Sequence, residues 1–490
     1  MARISHASTL HLTLPDTGEP LRQRIAGAVV TALRAGALGP GDLLPASRVL
    51  ATELGVSRSA VVDAYDELAA AGFVDSRAGS GTRVAAGADV AAHAGVTPHV
   101  TPTTDAAVSS RPAHPAAALD LSPGYPDTDL ISPRDWRSAW RAATAGPVPN
   151  TPPGPGGHRR LREALAVHLR RTRGIVADPD EIVVVPGALA ALRTLVSAAN
   201  LSGKEIAFED PGYAKARAAL AATGARIRPV PVDLDGIDPT HLRPADAAVY
   251  CTPAHQYPMG SRLSAARRAA LVSDATATGR LIVEDDYDGE FRYGVATLPA
   301  LRAIEGGRER VAYVGTASKI LSPSLRLAWL VPPAALLPRV HDALAVSGET
   351  ACAVTADALA RFVESGSLTR HLARTSRTYA ARRQSFVEAL RAHLPDVEPL
   401  GVEAGLHVAL RLPDGADDGA IADEIGRRGV AVRGLASYRA DPDGPRGLLC
   451  GYARLPESRA DEAVRVIADV TRERVADVAG TGDSCRTSGS

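Results

Sequence analysis

Near the start of the chain apolar residues recur at helical spacing. Leu21, Ile25, Ala28, Val29 and Leu33 share one face, and Gly36 with Gly39-Pro40-Gly41 closes the run. The pattern then predicts a second helix over residues 45–54 and a tight turn at Gly55-Val56. A third helix opens at Ser57, a good N-cap, and turns Val61, Ala64, Tyr65 and Leu68 inward. Phe73-Val74 followed by residues 77–84 reads as a hairpin with a glycine-rich tip. Residues 17–84 are therefore expected to form a small domain. Residues 85–119 read as a flexible linker, because residues 86–119 hold no aromatic residue and only three charged ones, too little to bury a core.

From residue 120 onward short apolar runs alternate with helical stretches. Strand-length runs fall at 181–185, 205–209, 247–251, 281–284, 311–314 and 325–331, with helical patterns at 188–199, 214–222 and 265–276. Such alternation predicts an α/β layer structure around a mostly parallel sheet. After about residue 345 the pattern changes. A long helix over 368–394 precedes an α+β unit with strands near 407–412, 430–433 and 448–453. The expected organisation is a domain over 120–475, divided into a large part (120–345) and a small part (346–475), with a disordered tail over 480–490.

Charge sharpens the picture. The 55 basic residues balance 55 acidic ones, and the first 85 residues hold eight of each. Any DNA binding must then come from a local basic face rather than bulk charge. No apolar run reaches the length of about 18 residues that a membrane span needs. The N-terminus shows no secretion signal, and Cys251, Cys352, Cys450 and Cys485 show no metal-binding spacing. A reduced, cytoplasmic setting without a metal site is expected. Only three of the 55 basic residues are lysines: Lys204, Lys215 and Lys319. Where Arg serves every generic need, a Lys points to a task Arg cannot perform, such as Schiff-base formation. Lys319 stands between an apolar strand and a loop and is the lysine to suspect.

Two sets of residues carry candidate chemistry. A helix, short turn and helix followed by a wing places a recognition helix in the major groove of double-stranded DNA. Ser57, Arg58 and Ser59 would face DNA at the start of the third helix, and Arg48 would reach a phosphate from the second. Arg77, Gly81 and Thr82 would approach the backbone or minor groove from the wing. The second set suits pyridoxal phosphate, which needs a Lys for its aldehyde, an acid at its ring nitrogen, an anion site and a stacking wall. Lys319 would form the Schiff base. Asp285, at the end of an apolar strand, would hold the ring nitrogen, and Tyr287 would donate to the ring oxygen. Thr316, Ser318 and Arg326 would bind the phosphate together with the free N–H groups of Gly187, Ala188 and Leu189 at a helix start. Tyr213 would supply the wall.

Residues 44–48, 55–58, 64–68, 72–73 and 79–82 (LPASR, GVSR, AYDEL, GF and GSGT) resemble the GntR family of winged helices. The stretch from about 120 to 455 resembles fold-type I aminotransferases. Residues 251–260 (CTPAHQYPMG), 284–293 (EDDYDGEFRY) and 315–326 are similar to the MocR subfamily, which fuses the two. The resemblance implies Lys319 as the cofactor lysine, Asp285 at the ring nitrogen, and a head-to-tail homodimer. The sequence departs from aminotransferases at three places. Tyr257 stands where Asn is usual, with His255 or Gln256 as substitutes. Asn150-Thr151 stands where a Tyr reaches the partner's phosphate. Arg433 and Arg454 lie near, but out of register with, the usual carboxylate anchor. The function implied is a regulator that binds operator DNA and senses pyridoxal phosphate, an amine or an amino acid, with little or no transaminase turnover. The alternative is an active aminotransferase with a vestigial DNA-binding domain.

Overall fold

Residues 12–14, 18–77, 81–93, 119–295 and 298–483 are described by a computed structural model. The chain divides into two units, residues 1–111 and 112–490. The first contains α1 (Leu21–Arg34), α2 (Ser47–Leu54) and α3 (Arg58–Ala70). Gly55 ends α2 in the left-handed conformation, φ 65°, which costs glycine nothing. The Ser57 hydroxyl then caps α3, accepting from the Ala60 N–H at 3.3 Å. Ile25, Val29, Leu33, Leu50, Val61 and Leu68 close a common core. The buried Tyr65 hydroxyl donates to the Pro45 carbonyl at 2.8 Å. Strands β1 (Val74–Arg77) and β2 (Gly81–Val84) pair antiparallel, with Arg77 opposite Gly81. Gly81 has a second reason to be glycine: at φ +80°, a Cβ there would lie 2.9 Å from Leu43 Cδ1.

The linker reading needs correction. Residues 88–93 form α4 (Ala88–His93), whose Ala88 and Ala92 are buried in the core of the first unit. The Arg34 side chain donates to the Ala92 carbonyl. Small alanines fit where no aromatic residue is needed, so a composition that excludes an independent core does not exclude docking onto one. The rest of the linker, 94–118, lies outside the described residues, as does the wing tip, 78–80. The tail reading also shifts, since the last helix runs to Asp483 and residues 484–490 lie outside the described residues.

The second unit opens on β3 (Leu119–Asp120). Its main sheet is built from β4 (Val183–Val185), β5 (Glu205–Asp210), β6 (Arg226–Asp233), β7 (Gly236–Ile237), β8 (Asp246–Cys251), β9 (Leu281–Asp286), β10 (Val311–Thr316) and β11 (Ala328–Val331). The order is β4-β11-β10-β9-β8-β5-β6-β7. The central run β10-β9-β8-β5-β6 is parallel; β11 is antiparallel to both β10 and β4, so β4 runs with the central strands, and β7 is antiparallel to β6. Helices α5 (Pro133–Thr144), α6 (Arg159–Arg173), α7 (Ala188–Ala198), α8 (Ala214–Ala221), α9 (Ala265–Thr278), α10 (Gly307–Arg310), α11 (Ala317–Ile320) and α12 (Leu337–Ser347) follow in chain order. On one face Phe208, Tyr250, Val283 and Val314 pack with α7, α8 and α12. On the other, Val249, Ile282 and Val311 pack with α9, and Tyr313 and Trp329 pack with α6. Cover on both faces explains why the central strands β8, β9 and β10 are buried along nearly their whole length, whereas β6, toward the edge, alternates.

The C-terminal part follows with α13 (Ala353–Glu364), α14 (Ser367–His393), β12 (Pro399–Leu400), β13 (His407–Arg411), α15 (Asp418–Arg427), β14 (Val430–Ala431), β15 (Arg433–Gly434), β16 (Gly447–Gly451) and α16 (Ala460–Asp483). Its antiparallel sheet runs β12-β13-β16-β15, while β14 pairs with β3 in parallel. The small part is therefore not the contiguous stretch 346–475. The opening segment returns to it, and Leu119, Leu121 and Ala139 join its core.

Candidate functional site

The carboxyl ends of β9 and β10 meet at one edge of the sheet, the usual ligand position in α/β proteins. Strand alternation divides the acids of β9 between the two faces. Asp286 turns toward α6, where the buried Arg173 guanidinium pairs with it and the Tyr313 hydroxyl donates to it at 2.8 Å. Asp285 turns to the face of Phe208 and Tyr250. The Tyr250 hydroxyl donates to its Oδ2 at 2.7 Å, and the Tyr250 ring stacks on Phe208 at 4.4 Å. Asp285 Oδ1 is buried without a hydrogen-bond partner among the described residues. An orphan acceptor of this kind suits a protonated ring nitrogen and is costly without one. Burial pushes the Asp285 carboxyl up to about 6, against the Tyr250 hydrogen bond.

Lys319 lies in the turn of helix that follows β10. Burial lowers its pKa, with Lys215 adding to the effect and Asp288 and Asp285 opposing it. A lowered pKa leaves more of the neutral amine, the form that condenses with an aldehyde. Its Nζ stands 5.5 Å from the centre of the Tyr125 ring. A Cβ on Gly124 would lie 3.1 Å from that Nζ, so glycine leaves the amine its room.

The anion site is built by Gly187, α7 and Arg326. Gly187 (φ 107°) is the N-cap of α7, and the N–H groups of Ala188 and Leu189 have no acceptor among the described residues. Such a helix start favours an anion. Arg326 adopts φ 51°, a left-handed conformation that costs a side-chain-bearing residue about 1 kcal/mol or more. This turns its exposed guanidinium over Gly187, where a Cβ would lie 2.8 Å from Nη2. A side chain there would displace the clamp. These features fit the phosphate, ring nitrogen and aldehyde of pyridoxal phosphate.

Other expected residues fall differently. The Thr316 hydroxyl caps α11, accepting from the Ser318 N–H at 3.1 Å, and donates its hydrogen to the Leu327 carbonyl at 3.3 Å. Its hydrogen is thus committed, and of the expected hydroxyl pair only half-buried Ser318 keeps one free for a phosphate. His255 sits behind Tyr287, with Nδ1 3.0 Å from the hydroxyl, instead of facing the cleft. Gln256 cannot replace the usual Asn: its amide donates to the Pro211 and Tyr257 carbonyls and accepts from Met259 N–H. Tyr213 caps α8 at the cleft edge, with its ring edge-on to Tyr257 at 5.7 Å. Sequence reasoning missed Tyr125, Tyr250, Asp288 and Tyr438, whose hydroxyl lies 3.2 Å from that of Tyr257. Arg454 pairs with Asp120 at 2.7 Å and covers the Tyr125 ring at 4.9 Å. Arg433 stands opposite Leu449 on β16.

In the first unit Arg48, Ser57, Arg58 and Ser59 are all exposed. Arg58 leans on the Ser47 hydroxyl at 3.4 Å, and among the described residues neither Arg48 nor Arg58 pairs with a carboxylate. Both guanidinium groups are free for phosphate or base edges. Arg58→Ala is expected to weaken operator binding about tenfold or more, the usual cost of one lost Arg contact. Fluorescence anisotropy with operator DNA checks this, and the thermal unfolding midpoint should stay unchanged.

The two units together define a DNA-binding regulator with an aminotransferase-like body. Residues 21–84 match the bacterial regulatory proteins of the gntR family, and residues 117–467 match aminotransferase class I and II. The chain belongs to the MocR subfamily of GntR-type transcriptional regulators. It is 35% identical over 434 residues to the HTH-type pyridoxine biosynthesis transcriptional regulator PdxR of Corynebacterium glutamicum, covering 89% of this chain and 92% of the relative. It is 30% identical to the "Probable rhizopine catabolism regulatory protein MocR" of Rhizobium meliloti, covering 92% and 93%. An archaeal alanine:glyoxylate aminotransferase superposes with a TM-score of 0.67 at 26% identity, covering 73% of this chain and 91% of that one. The relatives favour the regulator over the active-enzyme alternative. Among the described residues no helix is long and apolar enough to cross a membrane.

Proposed function

We propose that this regulator senses pyridoxal phosphate, alone or with a primary amine or amino acid, and converts that state into operator affinity through a homodimer. The supporting observation is the pairing of a buried, orphaned Asp285 oxygen with a half-buried Lys319 of lowered pKa, on a chain that also carries a recognition helix with the exposed Arg58 at its start. When bound, the cofactor supplies an electrophilic carbon and an electron-withdrawing ring. Lys319 would hold the aldehyde carbon, Asp285 would keep the ring nitrogen protonated, and Tyr287 would donate to the ring oxygen. Arg326 with the Ala188 and Leu189 N–H groups would hold the phosphate. Tyr125, Tyr213, Tyr257 and Tyr438 would limit water around the reacting carbon. The similarity to a pyridoxine biosynthesis regulator points toward control of the cofactor's own supply.

An effector shifts operator affinity only by its unequal affinity for two states of the protein. The test measures operator affinity of the full chain without cofactor, with pyridoxal phosphate, and with added amines or amino acids. A difference between any two forms is expected, and equal affinity in all of them overturns the reading. Sedimentation of each form tests the dimer.

The acidity of Asp285 sets a pH dependence. Above about pH 6 its carboxylate is already charged before the ring nitrogen arrives. Below that, binding must first expel a proton, so affinity for pyridoxal phosphate is expected to fall by up to about tenfold per pH unit. Equilibrium dialysis from about pH 5 to 8 checks the direction.

A further inference from the structure

His255 follows β8 and Asp288 follows β9, and both are fully buried. Asp288 Oδ2 lies 3.1 Å from His255 Nδ1, and the Tyr287 hydroxyl lies 3.0 Å from the same nitrogen. The C-terminal part closes over this group. A Cβ on Gly405 would lie 2.2 Å from two ring atoms of His255 and 2.5 Å from Asp288 Oδ2. The His407 ring stands 4.8 Å from that of His255, and its Nε2 faces the Pro258 carbonyl at 3.2 Å. Charged and titratable groups reach the cluster from each neighbouring element. Asp285, Asp286 and Glu209 act from the strand ends, Lys319 from α11, Tyr257 from the loop after β8, Tyr293 from the segment after β9, and Tyr452 from just after β16.

One nitrogen cannot serve both neighbours in the same way. If Nδ1 were bare, it would accept the Tyr287 hydrogen while aiming its lone pair at a carboxylate. If Nδ1 carries hydrogen, it donates to Asp288, and Tyr287 keeps its own hydrogen for another acceptor. Asp288 Oδ1 already lacks a partner, so a buried carboxylate without the Nδ1 hydrogen would have two unmet oxygens, a costly state. The second arrangement is the stable one.

We propose that His255 and Asp288 are positioning residues for Tyr287: by facing the Nδ1 hydrogen toward Asp288, the pair directs the Tyr287 hydrogen into the cleft, onto the cofactor's ring oxygen. This rests on the reading that pyridoxal phosphate binds at Lys319 and Asp285. Without Asp288, Nδ1 becomes free to accept the Tyr287 hydrogen, and the ring oxygen loses its donor.

The test reads the pH midpoint at which the visible band of the holoprotein changes. A donor to the ring oxygen stabilises the anionic form and lowers that midpoint. Removing a nearby negative charge also lowers it, so charge and hydrogen-bond direction are separated by comparing two neutral variants. Asp288→Asn keeps an acceptor for Nδ1–H, whereas Asp288→Leu fills the same space without one. Asp288→Ala replaces the Leu variant if the branched chain does not fit beside Gly405. The Leu midpoint is expected above the Asn midpoint by about half a pH unit or more. In a Tyr287→Phe background the two are expected to coincide, since the pair acts through Tyr287. Equal Leu and Asn midpoints in the native background overturn the proposal, as does a difference that survives in Tyr287→Phe. A wild-type protein that acquires no visible band would instead refute the underlying cofactor reading.

Discussion

Lys319→Ala is expected to abolish the visible absorbance that the chain acquires with pyridoxal phosphate, and with it every cofactor-dependent change in operator affinity. Only two other ε-amines exist in the chain, Lys204 and Lys215. Lys215 is exposed on α8. Lys319 alone combines partial burial, a lowered pKa and the electrostatic influence of the Asp285 carboxylate. The anion site and Asp285 remain in the variant, so the cofactor should still dock weakly. Loss of the covalent link is expected to reduce its retention by at least about a hundredfold, or ~2.7 kcal/mol. Operator affinity of the cofactor-free variant should match that of the cofactor-free native chain. Absorbance titration and anisotropy on the same preparation check both halves. A band that persists in the variant would point to Lys215, the lysine that acts electrostatically on Lys319.

The place of Lys319 at the end of an apolar strand is legible in the sequence, while much of its setting is not, because of where the neighbouring groups sit. A lone lysine after an apolar strand, in a chain that otherwise uses arginine, is a local signal. So is an acid at the end of a strand, because alternation alone places Asp285 and Asp286 on opposite faces. The residues that decide between those faces come from far away. Arg173 is 113 positions from Asp286, and Tyr250 is 35 from Asp285. No local spacing links them. Tyr125 and Asp288 were hidden for the same reason, since each gains meaning only from a neighbour on another element. Local patterns also misled. Thr316-Ala317-Ser318 reads equally as a phosphate grip and as a helix cap, and the Thr316 hydroxyl takes the cap. Gly81 reads as a DNA-approach glycine, yet it is also required by Leu43. The linker helix was missed because alanine docks without any hydrophobic signature of its own.

Arg173→Met is expected to destabilise the second unit severely while sparing the chemistry at Lys319. The Arg173 side chain is buried at the end of α6, paired with Asp286 and, at 3.1 Å, with Glu290. His168 adds a weaker contact to Glu290 at 3.6 Å. The Glu290 carboxyl is held below its usual range by Arg173, with His168 helping, against the desolvation that would push it up. Removing the cation leaves two buried carboxylates facing each other. Breaking a buried pair in this way costs about 3–5 kcal/mol, a fall in unfolding midpoint on the order of 10 °C. Neutralising the acids as well, in Arg173→Met with Asp286→Asn and Glu290→Gln, should recover much of that loss, because the penalty lies in the stranded charges. Asp285 faces the opposite side of the sheet, so the variant should still acquire its visible band with pyridoxal phosphate at low temperature. Thermal unfolding and absorbance, read on one sample, separate the two acids. A variant with native stability and no band would reverse their roles, making Asp286 the ligand-facing carboxylate and Asp285 the structural one.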